Sequence, residues 1–192
     1  TNYFHIDVMD GEFVKNNTHD IMLEYAEYLD HVTKVPLDVH LMVKDIKNYV
    51  DSYLIFNPNI ITFHYEVCKS KEEVYKNIRY IKECNCKVGL AVKPETKIEE
   101  IYEFLPYIHM CLVMTVEPGK GGQTLIEETL EKVAKLKEYV KNNDIEIDIE
   151  VDGGINLATA PKAKEAGANV LVAGSAILMA KDYKVIIDEL KQ

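Results

Sequence analysis

The sequence predicts an α/β fold, a (β/α)8 (TIM) barrel whose first β/α unit lies outside this chain. Three observations predict it. Short apolar strands alternate with amphipathic helices from end to end, the pattern of a parallel sheet with helical crossovers. Seven such strands can be read, where a closed barrel needs eight. The polar residues at strand ends are spread over the first, second, fifth and sixth strands. An open doubly wound sheet would instead gather its ligands at one switch point, whereas a barrel brings every strand end round one axis.

Taken in order, strands are expected at 3–8, 37–42, 60–64, 88–92, 111–116, 146–151 and 169–173. Helices are expected between them at 19–31, 45–54, 70–84, 97–104, 124–142, 157–166 and 182–191. Capping boxes mark three helix starts: Ser70 with Glu73, Thr96 with Glu99, and Thr124 with Glu127. In the fifth helix Leu130, Val133, Leu136 and Val140 trace an apolar stripe at helical spacing. Gly167 closes the sixth helix. No linker or low-complexity tract interrupts the pattern, so residues 1–192 read as a single domain, incomplete at its N-terminus.

The bulk composition sets the class. The chain has 192 residues, 47% of them hydrophobic and 28% charged, as in ordinary globular proteins. Its formal charge is −10, and no Lys/Arg-rich run exists, so nucleic acid is not an expected partner. No apolar stretch reaches the roughly 18 residues of a membrane span, and no signal peptide is visible. Cys68, Cys84, Cys86 and Cys111 fit neither a zinc ribbon nor a disulfide framework. Reduced thiols and a cytoplasmic home are the expectation.

Alternation along the strands sorts the chemistry. His5, Asp7 and Met9 share one face of the first strand; Ile6 and Val8 share the other. Asp38, His40 and Met42 share a face of the second strand, and Asp148, Glu150 and Asp152 share a face of the sixth. Polar residues thus point into the barrel. Buried carboxylates cost several kcal/mol unless paired or bound to an ion. His5, Asp7, His40 and Asp152 therefore read as ligands of one divalent cation. Mixed N and O donors fit Zn²⁺, Fe²⁺, Mn²⁺ or Co²⁺, with zinc first. A carboxylate on either side of a substrate suits moving a proton off one face of a carbon and onto the other.

A second signal is independent. Glu117-Pro118-Gly119-Lys120-Gly121-Gly122-Gln123 follows the fifth strand, Gly153-Gly154 the sixth, and Gly174-Ser175 the seventh. Ala176-Ile177-Leu178 could form a short helical turn after it. Loops at these strand ends commonly cradle phosphate in such barrels, because glycine lets the backbone approach an anion closely. Met9, Met42 and Met114 face inward at the same end, as core filler or as an apolar lid over a reactive intermediate. His64 also ends a strand, as a core residue, a hydrogen-bonded neighbour of the ligands or a substrate contact. His19, His31 and His109 read as surface or helix residues.

Four segments, in this order, resemble a known family. They are His5-Ile6-Asp7-Val8-Met9-Asp10-Gly11, Asp38-Val39-His40-Leu41-Met42-Val43, Val113-Met114-Thr115-Val116-Glu117-Pro118-Gly119 and Val151-Asp152-Gly153-Gly154-Ile155-Asn156. They look like the ribulose-phosphate 3-epimerases, and the similarity runs from about Phe4 to Leu178. The resemblance implies a ribulose-phosphate-binding (β/α)8 barrel that interconverts D-ribulose 5-phosphate and D-xylulose 5-phosphate in the pentose phosphate pathway. It implies His5, Asp7, His40 and Asp152 as metal ligands, with Asp7 and Asp152 as the acid/base pair. It implies contacts to substrate or its phosphate from His40, Gly119, Gly121, Gly122, Gly153, Gly154, Gly174 and Ser175. Met9, Met42 and Met114 would form the apolar cap. A homodimer or homohexamer is the assembly it suggests.

The chemistry so implied is a 1,1-proton transfer. One aspartate removes the C3 proton to give a 2,3-enediolate, and the other returns a proton to the opposite face. Free aspartate is a weak base near pKa ~3.9, so a Lewis-acidic ion must stabilise the enediolate. Two departures stand out. The family opens with a strand carrying a Pro-Ser-Ile-Leu-type segment, absent here, so roughly 25–35 further N-terminal residues are expected in the native protein. Lys15-Asn16 also stands where the family has Pro-Asn. The competing readings are an allulose-6-phosphate 3-epimerase, a decarboxylase or aldolase-like synthase built on Lys93, and a truncated barrel that binds sugar phosphate without turnover. The synthase class needs an Asp-x-Lys-x-x-Asp pattern that this chain lacks.

Overall fold

A computed structural model describes residues 1–192. Its backbone groups into two compact units, Thr1–Ala91 with Tyr107–His109, and Val92–Pro106 with Met110–Gln192. Both repeat strand, helix, strand with parallel pairing, the (β/α)8-barrel class expected, and seven strands are described.

The first unit contains β1 (Phe4–Met9), α1 (His19–Val32), β2 (Leu37–Met42), α2 (Ile46–Tyr53), β3 (Ile60–His64), α3 (Lys71–Glu83) and β4 (Lys87–Val92). The strands pair in chain order. His5 lies opposite Asp38, Asp7 opposite His40, and His40 opposite Thr62. β-Branched and aliphatic residues on the alternate face build the core: Ile6, Val8, Val39, Leu41, Ile61 and Phe63 are all buried. Removing each such side chain from water contributes about 1.5–3 kcal/mol. Two of the three helices start on side-chain caps, since Asp45 accepts from Asn48 N and Ser70 from Glu73 N. His109 N donates to Val88 O, and its Nδ1 accepts from Val88 N. His19 opens α1, as expected of a surface or helix residue, and its ring packs edge-on against Tyr49, 4.7 Å away.

The second unit contains β5 (Met110–Met114), α4 (Glu128–Asn142), β6 (Asp148–Asp152), α5 (Ala160–Ala166), β7 (Val170–Val172), α6 (Ser175–Leu178) and α7 (Tyr183–Lys191). Two expectations are corrected here. The segment expected as a helix at 97–104 is a 3₁₀ helix, Ile98–Tyr107, with Pro106 inside it. A proline has no amide to give to an α-helical ladder. The fifth helix starts at Glu128, not at 124, and its first residue has no side-chain cap from Thr124. Ile126 N is committed to Thr115 O at 2.8 Å, so the chain stays extended there until Thr129 Oγ1 turns back to Ile126 O. The turn expected at 176–178 is present as α6. No helix of the chain is long and apolar enough to cross a membrane.

Candidate metal centre and phosphate loops

Register sets out the candidate residues of the first unit. Because β1 and β2 pair His5 with Asp38 and Asp7 with His40, four polar side chains meet on one face at the ends of two strands. Asp7 Oδ1 is the common acceptor, 3.3 Å from His5 Nε2 and 3.0 Å from His40 Nδ1. One ligand atom from each of His5, Asp7 and His40 lies within 4.8 Å of the other two. Two imidazole nitrogens and a carboxylate oxygen that close together fit a first-row divalent ion. His40 is fully buried, while the Asp7 side chain is 41% exposed, so the carboxylate has an open side for a substrate.

The electrostatics fit that use. The Asp7 carboxyl lies well below the usual carboxylate range: burial pushes it up, but the hydrogen bonds from His40 and His5 hold it down by more. The His5 imidazole lies well above its usual range. Burial opposes its cation, yet the buried Asp38 carboxylate, 2.5 Å from Nδ1, and then Asp7 raise it. With Nδ1 donating to Asp38, His5 presents Nε2 toward Asp7. A metal-binding histidine is held by its other nitrogen in this way.

A loop closes over these strand ends. Asp10 Oδ1 accepts from Glu12 N and Phe13 N, and its Oδ2 accepts from Lys44 N at 2.7 Å. One carboxylate thus ties the loop after β1 to the loop after β2. Thr18 Oγ1 donates to Asp7 O and accepts from Met9 N. Phe13 is carried onto the His64 ring, centroid to centroid 4.9 Å. Met9 and Met42 face each other in the register and are buried.

The candidate residues of the second unit lie mainly in backbone turns. Asp152 ends β6 opposite Met114, with Asp152 O accepting from Thr115 N. Thr115 Oγ1 donates to Gly153 O at 2.6 Å. Gly153 and Gly154 have φ of 119° and 69°. A Cβ on Gly153 would stand 2.3 Å from Val116 Cγ2, and one on Gly154 2.3 Å from Leu125 N. Packing alone demands glycine at both. Gly121, Gly122 and Gly174 differ, because a Cβ on any of them would meet open space. All three are exposed, with no heavy atom within 4 Å of the added Cβ. Gly119 has φ of 101° in the same loop, and Gln123 Nε2 braces that loop by donating to Glu117 O and Lys120 O. Gly174 precedes α6, which opens on Ser175.

The structure thus brings His5, Asp7 and His40 together in the first unit. In the second it sets Asp152 and Met114 at adjacent strand ends beside the glycine loops. Three residues outside the predicted ligand set contribute. Asp38 holds His5, His64 Nε2 sits 2.9 Å from His40 Nε2, and Glu66 Oε2 sits 3.0 Å from His64 Nδ1. For Asp38 the signal is its shared face with His40, once the register is known. Glu66 lies beyond the strand in a 3₁₀ turn, Tyr65–Val67, where alternation carries no message.

Comparison with known proteins agrees with this geometry. Residues 1–178 match the profile described as the ribulose-phosphate 3 epimerase family. The chain is 38% identical over 198 residues to a ribulose-phosphate 3-epimerase of Eremothecium gossypii, covering 98% of this chain and 80% of that one. It is 39% identical over 188 residues to the Bacillus subtilis enzyme of the same name, covering 97% and 84%. Among solved structures, the 3-keto-L-gulonate-6-phosphate decarboxylase of Vibrio cholerae superposes with a TM-score of 0.69 at 11% identity. That match covers 99% of this chain and 85% of the other, and it bears on the fold alone.

Proposed function

The chain belongs to the ribulose-phosphate 3 epimerase family, and from that premise we propose that it epimerises C3 of D-ribulose 5-phosphate to give D-xylulose 5-phosphate. The observation that carries the reading is Asp7, a carboxylate held between two imidazoles and open on one side. His5, Asp7 and His40, with Asp152 as fourth ligand, would hold one divalent ion per subunit, zinc first among the first-row candidates. Residues 1–192 act as one ribulose-phosphate-binding domain in this reading.

When bound, that ion would supply Lewis acidity that lowers the cost of forming the enediolate. One of Asp7 and Asp152 takes the C3 proton. The C–H pair moves into a C2–C3 double bond, and the C2 carbonyl becomes an enolate oxygen. The other aspartate, which enters the step as the protonated acid, then gives its proton to the opposite face of C3, and the double bond collapses back to the ketone. The low Asp7 pKa keeps it ionised but makes it a weak base, so stabilisation of the enediolate has to offset that weakness. His40 holds the Asp7 carboxylate in place. Met9, Met42 and Met114 keep water from the enediolate, which would otherwise be protonated without facial control. Gly119, Gly121, Gly122, Gly174 and Ser175 receive the phosphate. The open room beside Gly121, Gly122 and Gly174 supports that assignment. Gly153 and Gly154 shape the turn that presents Asp152.

Four free thiols support a reducing, cytoplasmic setting. The exposed stripe of Ile21, Tyr25, Tyr28 and Val32 on α1 supports a homo-oligomer. Sugar phosphate is the partner; nucleic acid and membrane are not.

The test is turnover of D-ribulose 5-phosphate in deuterated water by zinc- or cobalt-loaded protein, with Asp152→Asn beside it. Xylulose 5-phosphate carrying deuterium at C3, lost in the variant, is the expected result. Turnover of allulose 6-phosphate alone would move the reading to the hexulose. Ligand binding with no turnover of either would reduce the chain to a sugar-phosphate binder.

A further inference from the structure

His40 is buried with both ring nitrogens engaged, Nδ1 toward Asp7 and Nε2 toward His64. Two imidazole nitrogens 2.9 Å apart share a single proton, so His40 and His64 cannot choose their tautomers independently. Glu66 breaks the tie. Its Oε2 accepts at 3.0 Å from His64 Nδ1, which places the His64 proton on that nitrogen and leaves His64 Nε2 as a lone pair. His64 Nε2 therefore accepts from His40 Nε2–H. Without a cation His40 Nδ1 donates to Asp7 Oδ1 at 3.0 Å; with the His40 proton held on Nε2 instead, Nδ1 offers its lone pair to a cation beside Asp7.

We propose that Glu66 and His64 are positioning residues that set the tautomer of His40, handing the influence of a carboxylate through one imidazole to the next. The inference rests on the reading of His5, Asp7 and His40 as metal ligands. His5 receives the same service from Asp38 directly. His64 lies between His40 and its carboxylate because the strand end brings an imidazole, not an acid, beside His40 Nε2. Phe13 against the His64 ring and the full burial of both imidazoles hold the relay in place.

Zinc affinity, measured by chelator competition on the full chain, tests this in Glu66→Gln, His64→Leu and His64→Gln. Removing an outer partner of a metal-binding histidine weakens the metal about 10–100-fold. Glu66→Gln can turn its amide to donate to His64, which would reverse both tautomers, so its Kd should rise about 10-fold or more. His64→Leu should rise at least as far. His64→Gln restores an acceptor oxygen near the Nε2 position and should recover much of the loss. Long-range ¹H–¹⁵N spectra of histidine-labelled, zinc-loaded wild type should show His40 protonated at Nε2 and His64 at Nδ1. Parental zinc Kd in Glu66→Gln, or a spectrum with His64 protonated at Nε2, overturns the relay. Should His64→Leu fail to fold, Glu66→Gln and the wild-type spectrum still decide. Wild type that binds no zinc overturns the metal reading itself, a result distinct from variants that bind as well as wild type.

Discussion

The two halves of the chain set out their candidate residues in different materials. The first uses side chains: His5, Asp7, Asp38, His40, His64 and Glu66, mostly buried and joined by hydrogen bonds of 2.5–3.3 Å. The second uses mainly backbone: Gly153 and Gly154 pressed against neighbours, and Gly121, Gly122 and Gly174 with room beside them. A cation needs lone pairs at fixed points, which side chains on a rigid strand pair supply. An anion needs N–H groups and close approach, which glycine loops supply. The first half should therefore fail through lost charge and metal, and the second through strain or lost substrate affinity.

The largest effect should come from His5→Ala. It leaves the buried Asp38 without its imidazole, and breaking such a pair costs about 3–5 kcal/mol in urea unfolding of metal-free protein. A loss under about 1 kcal/mol, the range of exposed ion pairs, would show that Asp38 is not held in this way. A part of that energy is sensitive to pH. The folded pKa of His5 is raised, so its contribution is whole below the unfolded value of about 6.5 and is lost as pH rises through the folded value. The urea midpoint of metal-free wild type should fall as pH increases above about 6.5, and His5→Ala should flatten that slope. A midpoint that stays level in wild type would contradict it. Asp7 acts in the opposite sense, its share being lost as pH falls below about 3.9.

Next in size is the contrast between glycines. Gly154→Ala forces a Cβ to within 2.3 Å of Leu125 N at φ 69° and should cost about 1–3 kcal/mol. The smallest effect on stability belongs to Gly174→Ala, where φ is −83° and the added methyl meets nothing. Its unfolding free energy should move by no more than about 1 kcal/mol, while KM for the sugar phosphate rises and inhibition by inorganic phosphate weakens. If Gly174→Ala changed stability and left KM untouched, the division between packing glycines and ligand glycines would collapse.

Legibility in the sequence follows the same division. Strand alternation put His5 and Asp7 on one face and Asp38 and His40 on another, because period two is written directly in the residues. The strands agreed to within a residue or two at most ends. The start of α4 did not, because Thr124 looked like a cap while the hydrogen bond from Ile126 N to Thr115 O kept the segment extended. Tertiary partners of that kind have no local signature. Asp38 was legible only as an inward-facing residue, its partner His5 being set by the strand register, and Glu66, beyond the strand, had no signal at all. Glycine was legible as glycine, but only the neighbours of Gly153 and Gly154 separate a packing requirement from a ligand's need for room.

The register of β1 on β2 has a consequence for how the chain reaches its fold. His5 and Asp38, and Asp7 and His40, stand 33 positions apart in sequence and meet only if the two strands align in this one way. A slip by one residue would send one set of ligands to the opposite face. An ion that needs all three donors thus ignores misaligned pairs and captures aligned ones, and the captured population grows with its concentration by mass action. Divalent metal would then serve as a proofreader of strand alignment during folding, before any substrate has been met.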